Sequence, residues 1–298
     1  MGQKVALVLS SGGARGFAHI GAIEELEAQG FEITSVAGTS MGALIGGLYA
    51  SGQLEQAKDW MFTRSTRQML SLVDMSLGRN HLIKGEKVIK KFEEVVPDAK
   101  IEDLPTSFCA VATDVKNSKE VVFDTGSLYS AIRASISIPA FFTPVKYNGG
   151  VLVDGGVINP IPLNRVKRTQ GDILVAINVS GRDCHDLHEL KRVAISRRDQ
   201  KKSLLPTIPD VSALIKQQIK EEKEHPDRNY FSLLSKSFSL MIQQNGALSL
   251  QLTPPDILID IPMNKYGSFD YDKAEAISKM GRVEMKKALE EYKLRTQR

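Results

Sequence analysis

The chain of 298 residues is 42% hydrophobic and 25% charged, enough to bury a large core, and no Pro/Ser/Gly-rich linker divides it, so one domain spanning 1–298 is expected. The formal charge of +4 and a pI near 8.9 come without a dense basic face interleaved with aromatics, which argues against a nucleic-acid partner and leaves only weak attraction to anionic membrane surfaces. Met1 to Leu9 lacks the long apolar core of a signal peptide, Gly2 misses the myristoylation pattern because Ala6 stands where Ser or Thr is needed, and no run approaches the ~18 apolar residues of a spanning helix. A cytoplasmic protein, at most peripheral to a membrane, is expected.

Lys4 to Leu9 reads as a short buried strand. It feeds the glycine-rich Ser10-Ser11-Gly12-Gly13-Ala14-Arg15-Gly16 and an amphipathic helix from about Phe17 to Gln29. A second apolar strand, Ile33 to Val36, leads into Gly38-Thr39-Ser40-Met41-Gly42 and the small-residue helix Ala43 to Ala50. Strand, turn, helix, strand, turn, helix in this order predicts a mostly parallel sheet with helices on both faces. Gln53 to Val96 reads as irregular helix, in which Trp60, Met61, Phe62, Met69 and Met75 fill core or wall an acyl pocket.

Thr106 to Val115 and Glu120 to Phe123 read as strands, and Leu128 to Ile136 as a helix stopped by Pro139. Asn148-Gly149 between two short apolar runs is a strong hairpin signal, because both residues tolerate positive φ. It places Asp154 at a strand end, followed by Gly155 and Gly156. Ile173 to Val179 is another buried strand. Gly181 to Leu252 is charged and mostly helical, with Lys191 to Lys202 a solvated face and Tyr230 to Ile242 an apolar helical stripe expected to pack on the core rather than on lipid. Ile257 to Ile261 is a last strand and Asp272 to Tyr292 a closing helix.

Gly-x-Ser-x-Gly between a strand and a helix is the pattern of a nucleophile elbow. The glycines leave room for a sharp turn, Ser40 is exposed at the strand end, and the Met41 N–H and the helix N-terminus face whatever the serine attacks. A serine esterase also needs a base and oxyanion donors. The N–H groups from Gly12 to Gly16 are the candidate donors, whereas dinucleotide binding fails because Ser11 replaces the first glycine and Glu32 begins rather than ends the next strand. Two bases stay open on the residues alone: Asp154 itself, or His185 or His188 with Asp154 behind it. His19, His81 and His225 read as packing or surface residues. Cys109 and Cys184 lack metal-ligand spacing and read as free thiols.

Gly12-Gly13-Ala14-Arg15-Gly16, Gly38-Thr39-Ser40-Met41-Gly42 and Asp154-Gly155-Gly156, with Ser137-Ile138-Pro139 before the hairpin, resemble the three signatures of patatin-like phospholipases. The resemblance covers about residues 5–180 well and the C-terminal part, about 181–298, poorly. It implies a three-layer α/β/α fold with a helical C-terminal extension, and a Ser40–Asp154 dyad working without histidine, metal or organic cofactor. Gly12, Gly13, Ala14, Arg15, Gly16 and Met41 would form the oxyanion site, with Arg15 holding the loop or the oxyanion. Gly38, Gly42, Gly155 and Gly156 would support the elbow and the acid loop. The implied substrate is a fatty acyl ester of a phospholipid or lysophospholipid, cleaved through an acyl-serine intermediate. The dyad demands a desolvated Asp154, since a free aspartate is a poor base for a hydroxyl.

Overall fold

The computed structural model describes residues 2–63, 86–139, 141–182 and 230–296. Its contacts divide the chain into two compact units, one of Met1–Gly181 with Ile242–Arg298 and one of Arg182–Met241. All that follows concerns the first unit.

The strands are β1 (Lys4–Leu9), β2 (Glu32–Thr39), β3 (Ser107–Asp114), β4 (Lys119–Phe123), β5 (Val145–Tyr147), β6 (Gly150–Asp154), β7 (Ile173–Gly181) and β8 (Ile257–Pro262). The helices are α1 (Phe17–Ala28), α2 (Met41–Ala50), α3 (Leu54–Phe62), α4 (Glu86–Val95), α5 (Leu128–Ser135), α6 (Tyr230–Leu252) and α7 (Ala274–Thr296). The sheet runs β5-β6-β3-β2-β1-β7-β8, with β4 also paired to β3. β3, β2, β1, β7 and β8 are mutually parallel, whereas β4 and β6 pair antiparallel with β3.

The apolar runs of β1 and β7 are continuous because both sheet faces are buried. Val5, Leu7, Leu9, Val175, Ile177 and Val179 face a large core built with α1, α2, α5 and α7. Ala6, Val8, Leu174 and Ala176 face a smaller one, closed by Ile161, Leu163 and Val166 from the connection after β6, with Leu250 of α6 against it. The expected layering is therefore present, and the C-terminal part supplies an edge strand as well as helices. Of the apolar run Tyr230 to Ile242, Ile242 belongs to this unit and is buried. Met69 and Met75 lie outside the described residues, while Met61 is buried and Trp60 packs against the main core.

β2 is longer than its apolar run. It continues through Gly38 and Thr39, which pair with Ala110 and Val111 of β3, so the strand reaches the elbow itself. Helices α1 and α7 cross at two glycines: a Cβ on Gly21 would overlap the Ser278 carbonyl, and one on Gly281 the Ala18 carbonyl. Both neighbours are backbone and cannot rotate away. Gly21→Ala and Gly281→Ala are each expected to destabilise the fold by about 1–3 kcal/mol, read as a lower urea midpoint, while Gly52→Ala, with open space but positive φ, should cost less.

Candidate active site

The last register pair of β2 is Thr39 with Val111, and Ser40 follows at φ 57° and ψ −122°. Backbone of this kind costs about 1–3 kcal/mol for a residue with a side chain, and it persists only where its surroundings fix it. Several contacts do so here. The Ser40 N–H donates to Ser135 Oγ at 2.8 Å, and the Ser40 carbonyl accepts from Ala43 and Leu44 at 2.9 and 3.1 Å, starting α2. A Cβ on Gly38 would overlap the Gly42 backbone, and one on Gly42 the carbonyls of Leu9 and Ser10, so the elbow lies tightly against the end of β1.

Asp154 reaches the same place from the opposite direction. Residues 110 and 111 of β3 pair with both β2 and β4, whereas residues 112 to 114 pair with both β4 and β6. Since a strand has two edges, β2 and β6 share one and meet end to end, with Thr39 opposite Val111 and Asp154 opposite Ala112. The two C-terminal ends face each other there. The Asp154 carboxylate accepts from the Gly156 N–H at 2.7 Å, and the Ser40 side chain comes close enough to lower its pKa. Asp154 is only 1% exposed, and burial pushes its pKa up to about 7, opposed by the Ser40 side chain and the Gly156 N–H. A Cβ on Gly155 would overlap the Val111 carbonyl, so only glycine lets the acid loop lie on β3.

The glycine-rich loop leaves β1 with Ser10 N–H bonded to Ile177 O at 3.1 Å and Ser11 N–H to Pro160 O at 2.9 Å. Gly13 has φ 58°, and a Cβ there would stand 2.6 Å from Ser268 O. The expected donors then separate. No acceptor is found among the described residues for the N–H groups of Gly12, Gly13 and Met41, while the Ala14 N–H is engaged by Ser268 O at 2.9 Å. Arg15 is buried and donates to the carbonyls of Val179, Met263 and Tyr266 at 3.0, 3.2 and 3.2 Å. Burial lowers it to about 10, with Asp270 pulling it back up, so it stays charged at neutral pH as a strut of the loop. Gly16 makes room for the Met41 side chain.

Residues 7–166 match the family described as patatin-like phospholipase. The chain belongs to the patatin-like phospholipase family. It is 40% identical over 178 residues to an uncharacterized NTE family protein of Mycobacterium bovis, covering 60% of this chain and 49% of that one. It is 34% identical over 194 residues to patatin-like phospholipase domain-containing protein 6 of Homo sapiens, and 31% over 193 residues to neuropathy target esterase sws of Drosophila melanogaster, each covering 62% of this chain and 14% of the relative. The match thus spans about half the length of the mycobacterial relative and far less of the other two. Among solved structures, VipD from Legionella pneumophila aligns with a TM-score of 0.47 at 13% identity, over 98% of this chain and 67% of that one. All three signature segments fall inside the patatin-like match, and β7, β8 and α7 fall outside it.

Sequence reasoning missed Ser135. It is buried in the last turn of α5, accepts the Ser40 N–H, and donates to Val111 O at 2.6 Å, so it ties the elbow to the point where β3 changes neighbours. A serine ending a helix with buried apolar neighbours at Ile132 and Ala134 is its only signal. Asn159 was missed too; its carbonyl accepts from Thr39 Oγ1 at 2.8 Å. His19 is buried, with Nε2 bonded to Ser10 O at 3.0 Å and its pKa lowered to about 4 by burial. His81, His185, His188 and His225, with Cys184, lie outside the described residues, and Cys109 is a buried free thiol. The described residues contain no group of His, Cys, Asp and Glu placed to hold a metal ion.

Lifting Asp154 from 3.8 to about 7 corresponds to about 4 kcal/mol of instability once the carboxyl ionises in the folded chain. Below about pH 4 both states hold the proton and the cost vanishes. As pH rises to about 7 the unfolded chain releases the proton first, so stability falls across that window and levels off above it. Asp154→Asn should therefore be more stable than the parent chain above pH 7, with the gap closing toward pH 4 in urea titrations. A gap independent of pH would contradict this account.

Proposed function

We propose that the chain is a serine-dependent lipid acyl hydrolase in which Ser40 is the nucleophile and Asp154 its base. The observation that carries this reading is the approach of the Ser40 side chain to the buried Asp154 carboxyl, whose pKa it lowers against the effect of burial, with the serine held at φ 57° on a strand-to-helix elbow. As an ester carbonyl approaches, Ser40 Oγ attacks the carbon while its proton passes to Asp154. The oxyanion would be received by the N–H groups of Gly12, Gly13 and Met41, near the N-terminus of α2. Asp154 then returns the proton to the departing alcohol, and a water deprotonated by Asp154 releases the acyl group from the serine.

The acid's environment fits the task. A base is most effective when its pKa lies near the working pH, and burial brings Asp154 to about 7. The family name and the names of its relatives, a phospholipase domain and an esterase, favour fatty acyl esters of phospholipids or lysophospholipids as substrate. Such substrates reside in bilayers or micelles. Among the described residues no helix is long and apolar enough to cross a membrane, and the enzyme would meet its substrate from the aqueous side.

Ser40→Ala is expected to abolish ester turnover, and Asp154→Asn to lower kcat by about 10²–10⁴-fold, with each variant retaining its circular dichroism spectrum. Because the base must be ionised, kcat/KM of the parent chain should rise with pH through a midpoint near 7. A folded Asp154→Asn chain with full activity would remove Asp154 from the mechanism.

A further inference from the structure

Two segments far apart in sequence meet beside the site. One carries Phe141: Ser137 O accepts the Asp154 N–H at 2.8 Å, and Ile138 O accepts the N–H groups of Phe141 and Phe142 at 3.1 and 2.9 Å. Phe141 thus sits one turn beyond the residue that holds the acid's backbone. The other carries Phe269, next to Ser268, whose carbonyl holds the Ala14 N–H of the glycine-rich loop. That segment is a firm turn, with Gly267 N–H on Asp270 Oδ2 at 3.0 Å and Tyr271 N–H on Phe269 O at 2.8 Å. The two rings lie with centroids 4.9 Å apart and planes inclined by 41°.

These contacts close a circuit. It runs from Asp154 to Ser40, through Met41 against Gly16, along the loop to Ala14 and Ser268, across Phe269 to Phe141, and back through Ser137 to Asp154. Asp154, Ser40 and Ala14 are buried, yet Phe269 is 38% exposed. The polar groups of the circuit would be occupied by the reacting ester: the hydroxyl and carboxylate by the proton transfer, the free N–H groups by the oxyanion. A chain leaving the carbonyl carbon has apolar surface to follow at the two rings, which are fixed by the same backbone bonds that hold the acid and the oxyanion loop.

We propose that the Phe141–Phe269 pair contacts the acyl chain of the bound ester and sets the preference for chain length; this rests on the hydrolase reading above. The pair acts through substrate contact and takes no part in proton transfer. Removing one ring should weaken long chains and leave short ones alone.

The test is kcat/KM for 4-nitrophenyl acetate, butyrate, octanoate and dodecanoate in detergent micelles, comparing the parent chain with Phe269→Ala, Phe141→Ala and Phe269→Leu. The octanoate-to-acetate ratio is expected to fall about tenfold in each alanine variant through KM. Phe269→Leu should keep most of the preference, and acetate turnover and labelling of Ser40 by a small fluorophosphonate should stay unchanged. An equal loss at every chain length would show that the rings only support the loops, and an unchanged ratio would show that the chain passes elsewhere; either result overturns the proposal. A parent chain that hydrolyses none of these esters and takes no fluorophosphonate would instead overturn the hydrolase reading, and this one with it.

Discussion

The site depends on one event in the sheet, the change of neighbour along a single edge of β3. Up to Val111 that edge is covered by β2, running parallel, and from Ala112 onward by β6, running antiparallel. Two strands that approach head to head on one edge bring their final residues together, whatever those residues are. Here one strand ends just before a serine and the other on an aspartate. The hairpin before β6 is what reverses the direction of approach: Asn148 and Gly149 both take positive φ, at 46° and 75°, the backbone of a tight primed turn. Asp114 reinforces it by accepting from Val151 N–H at 3.2 Å, Lys116 N–H at 3.1 Å and Asn117 Nδ2 at 2.7 Å. A parallel crossover to the same edge would have delivered the acid to the far end of the strand.

Two energetically unfavourable features coincide at that junction. The strained Ser40 backbone costs about 1–3 kcal/mol, and the buried Asp154 costs about 4 kcal/mol when ionised. Strands buried on both faces outweigh them, since each buried Leu, Ile or Val contributes about 1.5–3 kcal/mol, and β1 and β7 alone supply Leu7, Leu9, Ile177 and Val179. The surplus is local as well as global. Ser135 joins the Ser40 N–H to the Val111 carbonyl, so the strained residue is tied to the sheet by a hydroxyl that serves as acceptor and donor at once. Burial also explains how a histidine becomes unnecessary in the proposed mechanism. A carboxylate at about 7 has the proton affinity of an ordinary imidazole, so desolvation supplies the basicity that a second side chain would otherwise provide.

The parts of the site legible in the sequence are those whose constraint is local. Gly38 and Gly42 must flank a sharp elbow, Asn148-Gly149 must turn a hairpin, and Gly155 must lie flat on β3; each leaves a residue type at a fixed spacing. The same holds for the continuous apolar runs of β1 and β7, which mark strands buried on both faces. What stayed hidden is set by partners distant in sequence. Ser135 meets Ser40 across 95 positions, and Arg15 finds two of its three carbonyl acceptors 248 and 251 positions away. Nothing in a stretch of sequence marks a carbonyl as an acceptor. The donor set of the glycine-rich loop was overestimated for the same reason: Ala14 carries an N–H like its neighbours, and only the distant Ser268 carbonyl removes it. The extension of β2 through Thr39 was likewise invisible, because Gly38 reads as a strand end until its pairing with Ala110 is known.

The Arg15 cage also shows that the family-matching region does not hold its loop alone. Arg15 is only 4% exposed, and its guanidinium is held by the Val179, Met263 and Tyr266 carbonyls, with Asp270 acting at longer range. A buried cation is tolerated only when its donors are satisfied, and each lost hydrogen bond to a charged group costs about 1.5–3 kcal/mol or more. All three acceptors lie beyond residue 166, where the match ends. Met263 and Tyr266, together with Ser268, make the turn between β8 and α7 a second support for the loop, beside the one that β1 provides. That turn in turn depends on β8 pairing with β7 and on α7 packing its glycine against α1. The C-terminal part of this unit is therefore a wall of the site, and the geometry of the Gly12 and Gly13 donors is set jointly by both ends of the chain.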